Sequence, residues 1–501
     1  MINLVISFIY PFLYFYSFIN QYKVIQYHHY ELEKYFKQKK FKILFILILS
    51  AFVFLLSYVV SYFSKMMLSV LLVVLTNCFM SEKGILKLTN RVKRCLSIYF
   101  LFSFFVALLF KNKTILFSLN SFVFFICLFT THLVSCFIEF LIMRSYIKDA
   151  KRIVKDVKII GITGSYGKTS CKNIIYDMIS GFVSVSKTPK SYNNQVGIVK
   201  SIRECVSEDD DYFICEYGVD KKGGMNKLLR IVKPNVSLIT EIGPQHILTF
   251  KNIDNIKNEK LKIAKILSKQ ETCVVNNDNI YLREEIKNLK CNVITYGIKN
   301  KSDIMAKNII VNTYGSSFDL FINNRKFKNI KICLLGEHNI LNVLGCIGVL
   351  KSIGIDLKKI DGLVMKIKPI EHRLELKRIQ GIKVIDDGFN SNEVGFKNAI
   401  DILSMMQEEK FIITPGIIEQ GENSEKVNYE LGKYMAKKID FAILVEKNAY
   451  SLKKGLIDGG FAEGRILIKE DFLKAWEYVK SIANDEKIFL IENDLPSIYL
   501  R

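Results

Sequence analysis

The sequence lacks closely spaced cysteines. Its eleven cysteines stand singly, and no C-x-x-C occurs in the chain. Zinc ribbons and disulfide frameworks need cysteines at short, paired spacings, so both are excluded, and free thiols in a reducing compartment are expected. Acidic residues are also few, with 49 Asp and Glu against 71 Lys and Arg, a formal net charge of +22. Because the basic residues show no repeated Arg/aromatic pattern, we expect no nucleic-acid partner.

Charge is nearly absent from several long runs in the first 145 residues. A helix needs about 20 apolar residues to cross a bilayer, so five runs predict about five transmembrane helices in a membrane region over residues 1–147. The first run has neither a basic n-region nor a small-residue cleavage site and is expected to stay attached. The runs cover residues 2–19, 43–64, 66–80, 95–110 and 115–142.

Basic residues alternate between the loops that separate these runs. The segments 20–42, 81–94 and the stretch after 143 are rich in Lys and Arg, whereas the loops around Lys65 and Lys111 are short and poor in charge. By the positive-inside rule this pattern predicts a multi-pass protein of the cell membrane, in contact with membrane lipid, with its catalytic domains cytoplasmic.

A glycine-rich turn opens the remainder of the chain. A β-like run from Lys158 to Ile162 leads into Gly161-Ile-Thr-Gly-Ser-Tyr-Gly-Lys-Thr-Ser170 and then a helical pattern. Strand, glycine turn and helix N-terminus together form a phosphate cradle. Lys168 would neutralise the β- and γ-phosphates of ATP, and the Thr169 hydroxyl would reach Mg²⁺. The strict P-loop spacing is not kept, because Ile162 stands where the first glycine belongs.

Seven further motifs follow, and with this loop they resemble those of the Mur ligase family in the same order. The motifs are Ser191-Tyr-Asn-Asn-Gln-Val-Gly-Ile198, Glu216-Tyr-Gly218, Thr240 to Phe250, Gly336-Glu-His-Asn-Ile-Leu-Asn342, His372-Arg373-Leu-Glu375, Asp386-Asp-Gly-Phe-Asn-Ser-Asn392 and Pro415 to Gly421. The last two forms resemble the member that adds D-alanyl-D-alanine to UDP-muramoyl tripeptide. The chain departs from the family at Gly388-Phe389, Gln420, Glu337 and Lys262.

The resemblance implies roles for individual residues. Lys168, Lys260, His246 and Glu216 would be catalytic, and Lys260 would be carbamylated, which turns a cation into an anion. ATP would be bound by Gly164, Ser165, Gly167, Lys168, Thr169, Ser170, His338, Asn339, Asn342, Arg373 and Asp387. Asn193, Asn194, Asn390 and Asn392 would bind substrate. Thr169, Glu216, His246 and Lys260 would hold Mg²⁺.

The alternation of strand-like and helical patterns predicts an α/β fold with a parallel sheet. Runs at 212–216, 235–240 and 272–275 are strand-like, residues 293–335 fit a small antiparallel insert, and a second α/β pattern begins near residue 368. With the resemblance, this predicts a central P-loop ATPase domain over 148–367 and a Rossmann-like C-terminal domain over 368–501. The family's soluble N-terminal domain, which grips the UDP-sugar, has no counterpart.

The resemblance implies an ATP-dependent ligase that forms a C–N bond through an acyl phosphate and releases ADP. UDP-muramoyl peptide and D-alanyl-D-alanine would be its substrates. Two alternatives stay open. One is a Mur-type ligase that uses a different or lipid-linked cell-wall precursor. The other is a transporter-type ATPase, although its predicted spans contain only Glu139 and His132 as carboxylate and histidine.

Overall fold

A computed structural model describes residues 12, 15–27, 30, 39, 42–49, 51, 86–110, 120–313, 315–323, 325–388, 392–417, 423–445 and 448–493. The chain divides into two compact units, Met1–Tyr146 and Ile147–Arg501. Helices and strands are numbered here in chain order.

The described part of the first unit is helical. It contains α1 (Phe15–Tyr27), α2 (Asn90–Leu109) and the beginning of α3 (Asn120–Ile153). The Thr89 hydroxyl caps α2 by accepting from the N–H of Val92. Aromatic and aliphatic side chains from the three helices form one core, which includes Phe18, Tyr99 and Leu128.

The predicted localisation as a multi-pass membrane protein is wrong. Five spans would require five helices of about 20 residues, but in the described part of the chain two are long and apolar enough, Asn90–Leu109 and Phe122–Ile153. Two such helices are weak support for a membrane region, since core helices of soluble proteins can be equally long and apolar. Helix α1 has 13 residues and extends into the segment predicted as a polar loop, with Asn20 and Gln21 buried in the core. The runs 66–80 and most of 2–19 and 43–64 lie outside the described residues.

The second unit is built on two mixed sheets, which confirms the predicted α/β class. The first has nine strands in the order β2-β3-β1-β4-β5-β6-β7-β8-β9, parallel from β2 to β7 and antiparallel from β7 to β9. The antiparallel end lies within the stretch predicted as an insert. The strands of the whole first sheet are β1 (Lys158–Thr163), β2 (Val185–Lys187), β3 (Tyr212–Glu216), β4 (Val236–Ile239), β5 (Thr272–Asn276), β6 (Asn292–Gly297), β7 (Ile304–Asn312), β8 (Gly315–Ile322) and β9 (Arg325–Ile332).

Helices cover both faces of this sheet because its central strands are apolar on both sides. Ile160 and Ile162 of β1 pack in one core with side chains of α4 and α10. On the opposite face a Cβ at Gly161 would lie 3.1 Å from Ile263 of α8. The helices are α4 (Lys168–Ile179), α5 (Gln195–Cys205), α6 (Gly224–Leu229), α7 (Ile247–Phe250), α8 (Ile253–Lys265), α9 (Ile280–Arg283), α10 (Glu337–Ser352) and α11 (Ile360–Val364).

The second sheet has six strands in the order β10-β11-β15-β12-β13-β14, and only the β10–β11 pair is antiparallel. Ile385 and Leu490 face the core shared with α12–α14, whereas Val384 and Phe489 face α15. The elements are β10 (Glu375–Ile379), β11 (Ile382–Asp387), α12 (Glu393–Ser404), β12 (Glu409–Thr414), α13 (Ser424–Met435), β13 (Phe441–Val445), α14 (Ala449–Asp458), β14 (Ile466–Lys469), α15 (Phe472–Ile482) and β15 (Lys487–Glu492).

Helices α13 and α14 approach closely enough to require glycine at their contact. A Cβ at Gly455 would lie 2.0 Å from the carbonyl oxygen of Tyr429. We therefore expect Gly455→Ala to lower the free energy of unfolding by about 1–3 kcal/mol, since backbone must move. Gly362→Ala is the control, because nothing lies within 4 Å of that position, and it should be neutral or stabilising by up to about 1 kcal/mol. Urea unfolding measures both. Equal effects would contradict the close contact.

Candidate functional site

Polar residues follow several strands of the first sheet at the same edge. The carboxyl ends of parallel strands meet there, which is where open α/β sheets bind ligands. A cavity of about 340 Å³ opens at this edge. It is lined by Ser165, Tyr166, Gly167, Lys168, Thr169, Ser170, Ser191, Asn193, Glu216, Thr240, Glu241, Gln245, Asn276, Tyr296, His338, Asn339, Leu341, Asn342, Arg373, Asp387, Asn392, Val394, Gly395 and Asn398.

The loop between β1 and α4 forms the floor of this cavity and needs its two glycines. Gly164 and Gly167 have φ angles of +152° and +78°. A Cβ would lie 1.9 Å from the Thr240 Oγ1 at Gly164, and 2.5 Å from the Asn342 Oδ1 at Gly167. The loop can therefore approach its neighbours only without side chains at these positions. Ile162, which breaks the strict P-loop spacing, is a buried strand residue.

Lys168 begins α4 and bends back over the loop. Its Nζ donates to the carbonyl oxygens of Gly164 at 2.7 Å and Ser165 at 3.2 Å. Burial lowers the pKa of this amine, the Glu216 carboxylate opposes that shift, and Arg373 adds to it. The cation is held at the N-terminus of a helix, where an anion is favoured.

Glu216 ends β3 and is the most highly bonded carboxylate of the site. Its Oε2 accepts from the Thr169 hydroxyl at 3.0 Å and from Lys172 Nζ at 3.2 Å, and its Oε1 accepts from Asn193 Nδ2 at 3.0 Å. Lys172 was not among the predicted site residues. Its position one helical turn after Lys168 was the available signal, since residues four apart share a helix face.

Lys260 of α8 is buried under the phosphate loop, and its Nζ donates to the Gly164 carbonyl oxygen at 2.8 Å. Burial, with a smaller effect from Lys168, holds the pKa of this amine well below its usual range. The neighbouring Lys262 is partly exposed and pairs with Glu259 at 2.7 Å. The two lysines therefore differ in environment, since Lys260 is buried and Lys262 is partly exposed and paired.

His246 is not brought to the cavity. It is exposed, with a left-handed φ of +55°, at the start of the one-turn helix α7. Thr169 and Glu216 are in contact, but within the described residues no three His, Cys, Asp or Glu side chains cluster as metal ligands would. The predicted set of four metal ligands is therefore not assembled by the structure.

The residues expected at the adenine do line the cavity, at the head of α10. Asn339 Nδ2 donates to the Leu335 carbonyl oxygen at 2.9 Å, and Asn342 Nδ2 reaches Asn339 Oδ1 at 3.5 Å. His338 is half-buried, and its Nδ1 is buried without a hydrogen-bond partner. Burial and then Arg373 lower the pKa of His338 to about 4, so the imidazole is neutral.

Arg373 and Asp387 reach the same cavity from the second sheet. The Asp387 Oδ1 accepts from the N–H of Leu374 at 3.2 Å. Burial raises the pKa of Asp387 to about 6, against an opposing effect of Arg373. The cavity is thus closed by a cation and a carboxyl group that come from a different sheet from the phosphate loop.

The four predicted substrate residues differ in placement. Asn193 lines the cavity, and a Cβ at Gly218 would lie 2.4 Å from its Cγ, so this glycine makes room for it. Asn392 also lines the cavity, and its Oδ1 caps α12. Asn194 caps α5 by accepting from the N–H of Gly197 and does not line the cavity. Asn390 lies outside the described residues.

Four residues at strand ends line the cavity but were not among the predicted site residues. Thr240 and Glu241 follow β4, Asn276 ends β5, and Tyr296 lies near the end of β6. Asn276 Nδ2 and the Tyr296 hydroxyl both donate to the Thr240 carbonyl oxygen, at 2.9 and 3.2 Å. Their common place after predicted buried strands was a signal that could have found them.

Comparison with known proteins shows what this part of the chain is similar to. Residues 162–350 match the family model described as the Mur ligase middle domain, and this range holds the phosphate loop, Glu216 and the head of α10. The central part of the chain is therefore similar to Mur ligases. Among its relatives, it is similar to ligases described as UDP-N-acetylmuramoyl-tripeptide–D-alanyl-D-alanine ligase.

Three such relatives show the extent of the similarity. The Rickettsia prowazekii ligase is 29% identical, over 57% of this chain and 64% of its own. The Borreliella burgdorferi ligase is 32% identical, over 55% and 59%, and the Bacillus subtilis ligase is 26% identical, over 64% and 69%. The chain spans less than two thirds of the length of the first of these relatives.

Solved structures share the fold. MurF from Acinetobacter baumannii has a TM-score of 0.61 at 20% identity, over 71% of this chain and 79% of that one. MurF ligase from Thermotoga maritima in complex with ADP has a TM-score of 0.63 at 21% identity, over 72% and 81%. The similarity to these ligases is a second finding against the multi-pass localisation.

The raised pKa of Asp387 predicts how the stability of the fold depends on pH. The unfolded group ionises near 3.8 and the folded one near 6, so the native state binds more protons between these values and stability falls as pH rises through them. Asp387→Asn removes this loss. We expect the variant to be more stable than the wild type by up to about 3 kcal/mol at pH 7, and no more stable below pH 3.8.

Urea unfolding between pH 3.5 and 7 measures the difference, with the exposed Asp485→Asn as control. A gain that does not depend on pH would mean that the pKa of Asp387 is the same in the folded and the unfolded chain.

Proposed function

We propose that this protein is an ATP-dependent ligase that adds D-alanyl-D-alanine to UDP-N-acetylmuramoyl tripeptide. The observation that carries the proposal is one cavity in which the phosphate loop with Lys168 faces Glu216 and Arg373. The sequence similarity to UDP-N-acetylmuramoyl-tripeptide–D-alanyl-D-alanine ligases supports the substrates, and the ADP complex of the Thermotoga maritima relative supports the nucleotide.

The reaction proceeds in two steps. The substrate carboxylate attacks the γ-phosphorus of ATP, and the bond to the β-phosphate oxygen breaks to give an acyl phosphate and ADP. The amine of D-alanyl-D-alanine then attacks the acyl carbon, loses a proton, and displaces inorganic phosphate to form the amide. Both steps move negative charge between phosphate oxygens, which preorganised cations stabilise most strongly where water is excluded.

The cavity supplies those cations and the nucleotide contacts. Lys168 and Arg373 line the cavity as cations that would balance the transferring phosphoryl group, and Arg offers a planar fork for phosphate. The loop N–H groups and the first turn of α4 would hold the β-phosphate, together with Ser165 and Ser170. His338, Asn339 and Asn342 would face the adenine, and Asp387 the ribose.

Mg²⁺ fits the oxygen donors at the end of β3. The Thr169 hydroxyl and the Glu216 carboxylate lie 3.0 Å apart, and a hydroxyl with a carboxylate is a donor set that Mg²⁺ takes beside phosphates. These two residues would hold the ion, which supplies charge neutralisation to the phosphates. His246 contributes nothing to this set as the described chain is arranged.

Carbamylation of Lys260 suits its environment. The reaction with CO₂ needs a neutral amine, and burial lowers the pKa of this amine, with Lys168 adding to the shift. The carbamate would be an anion beside Lys168 and the Gly164 carbonyl. Asn193 and Asn392 line the cavity and are the proposed contacts of the peptide substrates, with Asn390 of the adjacent motif.

Lys168→Ala should abolish ligation while leaving the chain folded. Loss of this cation should cost about 3–4 kcal/mol of transition-state stabilisation, or roughly a thousandfold in rate. The assay is mass spectrometry of products from ATP, UDP-muramoyl tripeptide and D-alanyl-D-alanine, with Lys187→Ala as the matched control. Phosphate release by the wild type without any amide product would reject the proposed function, and wild-type ligation by the variant would remove the loop from the mechanism.

Lys260→Ala should lose ligation, and bicarbonate should not restore it. Short carboxylic acids should restore part of the activity, because they fill the vacated space with a negative group. Lys262→Ala is the matched control on the same helix and should remain active, since that side chain pairs with Glu259. The opposite pattern, with Lys262→Ala inactive and Lys260→Ala active, would show that the carbamate is assigned to the wrong lysine.

A further inference from the structure

A buried ion pair lies directly behind the cavity. The side chains of Lys172 and Glu216 are 2% and 1% exposed, and their charged atoms are 3.2 Å apart. The Lys172 Nζ has a second acceptor, the carbonyl oxygen of Lys190. Lys172 does not line the cavity, so the proposed reaction leaves it without a direct role.

A gain in folding stability does not explain why this ion pair is buried. Each buried ion loses several kcal/mol of hydration, and well-packed apolar residues often replace such pairs without loss. Buried pairs can instead impose one arrangement on the groups they join. The groups joined here are the carboxylate proposed to hold the metal and the turn that contains Lys190.

The same turn is tied to Glu216 a second time. Asn193 Nδ2 donates to the Glu216 Oε1 at 3.0 Å, and the Asn193 carbonyl oxygen accepts from the N–H of Gly218 at 2.8 Å. Residues 190–193 are thus attached to the end of β3 at both ends, directly through Asn193 and through Lys172 at Lys190. Ser191 and Asn193 of this segment, here called the 190–193 loop, line the cavity.

We propose that Lys172 is a positioning residue that holds Glu216 and the 190–193 loop in one arrangement, and so couples the nucleotide–metal end of the site to the peptide end. The inference rests on the proposed function, because it assigns the peptide substrate to the loop. Lys172 acts only through these two partners. Its removal should therefore weaken peptide binding and metal-dependent nucleotide binding together, and leave metal-free nucleotide binding unchanged.

The test compares Lys172→Met, Lys172→Gln and the control Lys187→Met. Lys187 projects from β2 to Asn173 Oδ1 at 2.9 Å and does not line the cavity. For Lys172→Met we expect the KM for UDP-muramoyl tripeptide to rise about tenfold or more, the loss expected for a charge-assisted hydrogen bond. Lys172→Gln keeps a donor without the charge and should fall between Lys172→Met and the wild type.

Binding is measured separately as the rise in Tm caused by ADP, with and without MgCl₂. In Lys172→Met the rise with ADP alone should equal that of the wild type, and the additional rise with MgCl₂ should be at least halved. A variant with lower Tm but unchanged KM and an unchanged MgCl₂ increment would overturn the proposal and leave a structural role. If Lys172→Met does not fold, Lys172→Gln decides by the same two measurements.

The two proposals fail in different ways. Absence of amide product from the wild type rejects the proposed function. The rises in Tm with ADP and with MgCl₂ still test whether Lys172 positions Glu216, because they do not depend on the reaction. If the wild type forms the amide, and Lys172→Gln matches Lys187→Met in KM and in the rises in Tm with ADP and with MgCl₂, then only the proposed coupling through Lys172 is rejected.

Discussion

The Glu216 carboxylate joins the parts of the chain from which the site is built. It ends strand β3 and accepts hydrogen bonds from Thr169 and Lys172 of the first helix after the phosphate loop and from Asn193 of the next loop. Both of its oxygens are satisfied, as a buried carboxylate requires. Any displacement of β3 would therefore move the helix and the loop with it, so this one charge links the sheet to the nucleotide and peptide sides of the cavity.

Burial then gives the surrounding groups their chemical character. Lys168 and Lys260 lose hydration beside the phosphate loop, and their amines are easier to deprotonate than free lysine. His338 is held neutral, and Asp387 keeps its proton to a higher pH than usual. Groups with such perturbed pKa values cluster where a site handles charge. Here they lie around the place proposed for ATP.

The first unit shows how composition can mislead. Apolar runs were counted as spans by length, but α1 begins inside one run and continues through Asn20, Gln21 and Lys23. Likewise α3 continues from its apolar run into the basic stretch that ends at Arg152 and Ile153. Helix boundaries depend on which side chains find partners in the folded core, and a run of apolar letters does not contain that information.

The sequence by itself determined the features that depend on neighbouring residues. Strand-like runs, the antiparallel insert, the glycine turn at Gly164–Gly167 and the order of the motifs were all legible, because side-chain periodicity and turn chemistry are local. The tertiary structure alone decided which polar residues meet. Lys172 pairs with Glu216 across 44 positions, Asn194 caps a helix while Asn193 faces the cavity, and His246 stays outside it. The physical reason is that hydrogen bonds and desolvation are set by distance in space, and that distance is fixed only when the strands align.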